Sequence, residues 1–112
     1  MQSKVIQRPD VTVLELQGKL DITTAQIFET EYKKLGATKP RRVGLDLNRV
    51  EYIDSSGIGA IVKFLNLLKN TGGELILFGM NPVSLNVFKM AKLDSFFKIL
   101  SSEDFEKKFP AS

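Results

Sequence analysis

The chain contains no cysteine, no histidine and no tryptophan. Without cysteine there is no disulfide framework, no thiolate nucleophile and no thiolate zinc site, a usage that suits a reducing compartment. Without histidine it lacks the side chain whose ordinary pKa lets it act as acid and base near neutrality, so a Ser-His-Asp machine is excluded. Carboxylates, Lys and Tyr remain for catalysis, but no pair of them stands at a spacing that singles it out. An enzyme is not expected, nor is a cofactor or metal. No apolar run approaches the ~20 residues that cross a bilayer, and residues 1–10 lack the apolar centre of a secretory signal. A cytoplasmic location without membrane insertion is expected.

What is present is ordinary for a globular chain: 112 residues, 43% hydrophobic and 26% charged, enough for one core without staples. No repeat or linker appears, so one domain is expected over 1–112, its core spanning about residues 4–109. The net charge of +3 comes from basic residues scattered among acids. The densest cluster, Lys39-Pro40-Arg41-Arg42, reads as a solvated loop entering a strand and not as a phosphate-binding patch. Neither Tyr lies in a base-stacking motif, so no direct nucleic-acid contact is expected.

The alternation Val11-Thr12-Val13-Leu14-Glu15-Leu16 has the period of a half-buried strand, and Lys4-Val5-Ile6-Gln7 before Pro9-Asp10 makes it one arm of a hairpin. Ala25, Phe28, Tyr32 and Leu35 then fall on one helical stripe, with Asp21 or Thr23 available as cap and Gly36 as stop. Arg42–Leu47 reads as a strand followed by a turn-like Asn48–Glu51. Ile58, Ile61, Val62, Leu65 and Leu68 form a strong helical stripe that ends near Asn70. Glu74–Phe78 is a short apolar run of the kind found in parallel strands. Asn81-Pro82 opens a helix whose inner residues are expected to be Val83, Val87, Phe88 and Met90 or Ala91. Phe97–Leu100 is a last strand, and Ser101-Ser102-Glu103-Asp104 starts a final helix. The order predicts an α/β fold: a mixed, mostly parallel sheet with an N-terminal hairpin and about four helices packed on it.

In such folds partners collect where strand ends run into helix N-termini. Asp54-Ser55-Ser56-Gly57-Ile58-Gly59 is such a junction, and the orphan N–H groups and positive dipole end of its helix accept an anion. The bland reading is a capped helix, since Asp and Ser are the commonest caps. A cap, however, needs one such residue. Here two hydroxyls, a carboxylate and two glycines share six positions, and each glycine costs a helix about 1 kcal/mol relative to Ala.

These residues resemble the STAS domains, and within them the bacterial anti-sigma-factor antagonists (anti-anti-sigma factors). Gly18-Lys19-Leu20-Asp21-Ile22-Thr23-Thr24-Ala25 is similar to the family's Gly-x-Leu-Asp-x-x-Thr-Ala segment. Ile53-Asp54-Ser55-Ser56-Gly57-Ile58-Gly59 resembles its phosphorylation motif, and Gly72-Gly73-Glu74-Leu75 its turn into the next strand. The resemblance implies that Ser55 is the phosphoacceptor of a serine kinase that is also an anti-sigma factor. The unphosphorylated form would bind that kinase and free its sigma factor, a metal-dependent serine phosphatase would reset the switch, and Asp21, Asp54, Ser55, Ser56 and Gly57 would lie in or beside the docking surface. Ala91-Lys92-Leu93 departs from the family, which often carries Gly before that Leu, so a different cap is expected there.

A serine hydrolase built on Ser55 or Ser56 has neither a Gly-x-Ser-x-Gly elbow nor a base. A nucleotide-binding module would need a dinucleotide fingerprint or a Gly-rich phosphate loop with Lys, and the chain has neither. The alternative that stays open is a non-phosphorylated STAS subunit of a stress-signalling or lipid-transport assembly, with Ser55 serving only as a cap. Phe96, Phe97, Phe105 and Phe109 are expected to close the core under the last helix. Phe64 and Leu67 lie off the main stripe and could flank a partner or pack on a neighbouring helix.

Overall fold

Strand alternation at the start of the chain and helical periodicity after it generate nine elements in the computed structural model, which describes residues 1–112. They are β1 (Gln2–Gln7), β2 (Thr12–Leu20), α1 (Ala25–Gly36), β3 (Arg42–Ile53), α2 (Ser55–Lys69), β4 (Glu74–Phe78), α3 (Pro82–Met90), β5 (Lys98–Leu100) and α4 (Ser102–Lys108). The sheet order is β1-β2-β3-β4-β5. β1 runs antiparallel to β2, and all later pairs are parallel. The expected mixed sheet with an N-terminal hairpin and four helices is the fold observed.

The period-2 pattern divides the core in two. Leu14, Leu16, Val43, Leu45, Leu47, Leu75 and Leu77 share one cluster with Phe28 and Tyr32 of α1, Phe64 and Leu68 of α2, and Phe88 of α3. Val11, Val13, Ile76 and Phe78 face the other way and meet Phe105 and Phe109, from α4 and its end. Gly44 makes room for this second layer, because a Cβ there would lie 2.5 Å from Phe105 Cζ. The Phe78 and Phe105 rings stack with centroids 3.7 Å apart. Arg8 fastens α4 to the hairpin, donating to both carboxylate oxygens of Glu106 and to the Phe109 carbonyl.

Several local expectations are corrected. Asn48–Glu51 is not a turn: β3 continues to Ile53, and its pairing with β2 slips between Glu15 and Gln17 and again between Gly18 and Lys19. The Asp46 carboxylate accepts from both the N–H and the Nδ2 of Asn48, which stabilises the irregularity. α1 ends at Gly36 as expected, but not through a left-handed glycine. Gly36 is itself the last helical residue, buried against Leu67, and the left-handed residue that follows is Lys39 at φ 52°. The buried face of α3 is Ser84 and Phe88, while Val83 and Met90 are exposed. Phe64 is fully buried, stacked on Tyr32 at 4.8 Å. Of the four late phenylalanines, Phe97, Phe105 and Phe109 are buried and Phe96 is half exposed.

Candidate functional site

Leu20 at the end of β2 stands opposite Ile53 at the end of β3. The residues that follow, Asp21 and Asp54, therefore leave the sheet side by side. The backbone N–H of Asp54 donates to the Leu20 carbonyl at 3.2 Å. With φ −100° and ψ −174°, Asp54 is extended and takes the N-cap position of α2, its carboxylate accepting from the Gly57 N–H at 2.9 Å. The first helical backbone bond runs from the Ile58 N–H to the Asp54 carbonyl. The N–H groups of Ser55 and Ser56 thus have no intrahelical acceptor and project past the tip, where the helix dipole adds roughly half a positive charge.

Ser55 is exposed at the first position of α2, and its hydroxyl takes part in none of the chain's side-chain hydrogen bonds. Ser56 is half-buried and lines a shallow cleft between α1 and α2, shared with Ile22, Gln26, Gly59 and Lys63. The two glycines differ in kind. A Cβ on Gly57 would fall 2.4 Å from the Leu20 carbonyl oxygen, so its absence lets the helix tip seat against β2; a Cβ on Gly59 would meet nothing within 4 Å.

Asp21 does not cap α1, nor does Thr23. The helix begins at Ala25, with Thr24 in the N-cap position and no side-chain capping bond. Asp21 instead accepts from the Thr23 hydroxyl at 2.6 Å and the Thr23 N–H at 2.9 Å. The Thr24 hydroxyl donates to the Lys19 carbonyl at 2.7 Å and accepts from the Asp21 N–H at 3.0 Å. The Thr23 hydroxyl, aided by the Thr23 and Thr24 N–H groups, holds the Asp21 carboxyl below the usual carboxylate range, so it is ionised at neutral pH.

Asp21, Asp54, Ser55, Ser56 and Gly57 therefore converge on one end of the sheet. Within that group Asp54 and Gly57 shape the turn, Asp21 orders the neighbouring loop, and Ser55 presents a free hydroxyl. Sequence reasoning missed the Leu20 carbonyl, which anchors Asp54, and Ile22, which is 76% exposed at the rim of the cleft. An isoleucine lying off the helical stripe beside Asp21 was the available signal. The roomiest cleft, about 550 Å³, lies elsewhere, among Asn48, Met80, Leu85, Ile99 and Ser102.

The STAS domain family profile matches residues 2–105. The chain belongs to the STAS domain family. A Bordetella bronchiseptica protein provisionally named anti-sigma factor antagonist BtrV is 32% identical over 89 residues, covering 80% of this chain and 77% of the relative. The anti-sigma F factor antagonist of Paenibacillus polymyxa is 25% identical over 107 residues, covering 95% and 89%. Among solved structures, an anti-sigma factor antagonist from Mycobacterium paratuberculosis superposes with a TM-score of 0.85 at 21% identity, covering 96% of this chain and 92% of that one, a likeness of fold. No helix of this STAS domain is long and apolar enough to cross a membrane.

Proposed function

We propose that residues 1–112 form one STAS domain that works in the cytoplasm as an anti-sigma-factor antagonist, a docking protein and not an enzyme. In this reading the unphosphorylated form binds an anti-sigma-factor serine kinase and releases its sigma factor. The kinase transfers a phosphoryl group from ATP to Ser55 Oγ, which ends the interaction, and a serine phosphatase removes it. Relatives named as anti-sigma factor antagonists support the class of function. The observation that carries the switch is the Ser55 hydroxyl, exposed and unbonded at the positive tip of α2.

Phosphorylation would bring about −1.5 to −2 charges and three acceptor oxygens to that tip. The Ser55 and Ser56 N–H groups can take those oxygens, so the helix tolerates the group and the fold persists. A partner would meet this added charge beside the carboxylates of Asp21 and Asp54, while donors it could have used are occupied. Loss of docking then follows from local repulsion and competition, with no global rearrangement.

The test is incubation with the cognate kinase and ATP, followed by mass spectrometry and a binding assay. One phosphate is expected on Ser55, with Ser55→Asp failing to bind and Ser55→Ala binding constitutively. A phosphate on Ser56, or none at all, would overturn the assignment. Loss of the circular-dichroism signal in Ser55→Asp would make the residue structural.

A further inference from the structure

The end of the molecule opposite Ser55, where the parallel strands begin, gathers positive charge without partners. Lys39, Arg41, Lys69 and Lys92 are exposed there, with Lys89 on the wall of the cleft that also holds Met80, Asp94 and Ser102, and none enters an ion pair, whereas Glu74 takes up Arg42 and Lys98. The part formed by residues 39–41, Lys69 and Phe96 is continuous. The Pro40 carbonyl abuts Gly73, the Gly73 N–H donates to Leu68 beside Lys69, and Lys69 Nζ lies 5.4 Å from the Phe96 ring centroid. The Leu93 N–H returns to the Phe88 carbonyl and wraps residues 89–92 around the end of α3. Asp10, and Glu106 in its pair with Arg8, are exposed acids of this end, while Asp94 lines the cleft beside Lys89.

Helix dipoles account for Lys69 and Lys89, which occupy the last turns of α2 and α3. Lys39 and Lys92 lie just past the ends of α1 and α3, where the dipole favours a cation but does not require a side chain on a left-handed backbone. These are the chain's two non-glycine residues with positive φ, 52° and 59°. Each stands where glycine would sit without strain, and each keeps a side chain in solvent, so packing does not explain the lysine. Beside these cations Met90 is 77% exposed and Phe96 47%. Phe96 packs edge-on to Phe97, with Lys69 over its ring.

We infer that this end is a seat on an anionic lipid bilayer, with Met90 and Phe96 entering the interface and the surrounding lysines and Arg41 on headgroup phosphates. Exposed apolar side chains among unpaired, flexible cations fit a fluid, negatively charged surface, where phosphates meet the cations and the apolar groups enter the interface. Contact is peripheral, and the Ser55 tip faces away from the lipid.

The experiment is vesicle sedimentation of the full chain. Binding is expected to mixed phosphatidylglycerol and phosphatidylcholine, falling with salt, and not to phosphatidylcholine alone. Lys39→Gly with Lys92→Gly should fold at least as stably yet bind about 25-fold more weakly, taken as about fivefold per lysine. Met90→Ser should also weaken binding with the fold intact. Absence of binding to anionic vesicles at low salt overturns the proposal, as does wild-type binding by the double variant. Equal retention on random-sequence duplex DNA, with vesicle binding indifferent to Met90→Ser, would mark a general polycation and overturn it too.

Discussion

Two glycines two residues apart in α2 should respond to the same substitution with opposite sign. In Gly57→Ala the new methyl would stand 2.4 Å from the Leu20 carbonyl oxygen, 2.9 Å from Leu20 Cγ and 3.1 Å from Ile53 Cγ2. The nearest of these is backbone in a paired strand, so it cannot swing aside. Relief requires the helix tip to lift, stretching the 3.2 Å bond from the Asp54 N–H to the Leu20 carbonyl. Overpacking of this kind costs about 1–3 kcal/mol, and alanine returns roughly 0.5–1 kcal/mol through helix preference and the unfolded chain. The net loss should be about 1–2 kcal/mol, a fall in Tm of roughly 4–8 °C for a domain of this size. Gly59→Ala meets nothing within 4 Å and should gain about 0.5–1 kcal/mol. Urea and thermal unfolding of both variants measure the difference. If Gly57→Ala is as stable as Gly59→Ala, the tip does not rest on β2 as described.

Other expectations follow from the same contacts. Asp54→Ala removes the acceptor of the Gly57 N–H and should cost about 1 kcal/mol in denaturant unfolding. Phe105→Ala deletes a fully buried ring stacked on Phe78 and should cost about 3–5 kcal/mol, measured the same way. The Glu74 carboxyl is held below its usual range, first by the Lys98 ammonium and then by Arg42. Because its folded pKa is depressed, the stability it adds is present at neutral pH and is lost as pH falls through and below the usual carboxylate range, about pH 4. Acid titration of Glu74→Gln should show a shallower loss there than wild type.

The readable parts of the fold were those fixed by local chemistry. The hairpin, the helix starts at Asp54, Asn81 and Ser101, and the stripe of α2 all depend on residues a few positions apart, and the structure has them as expected. What escaped was set by contacts distant in sequence. Asn48 and Arg49 look like a turn because they are polar, yet pairing with β2 carries them through as strand. Phe64 lies off the α2 stripe, which left a partner surface and burial both open, and α1 supplies the neighbour that buries it. Ser84 took an inner position in a nine-residue helix too short for periodicity to fix its phase. The D-S-S-G tip announced itself; its support from the Leu20 carbonyl did not, since nothing near Gly57 in sequence names that atom. Lys92 shows the same limit. The absent glycine before Leu93 was visible, and the structure supplies the answer, a lysine forced into the left-handed cap.

The strands lie in the sheet in the order in which they occur in the chain. During synthesis each new strand therefore finds its neighbour already made and never has to be inserted between two others. The sheet can grow by accretion at one advancing margin, and each crossover closes over the shortest span of chain the topology permits. That margin stays open to wrong partners until β5 docks on β4 and α4 folds across the far face, so β5 and α4 should decide whether the nascent sheet escapes wrong pairing.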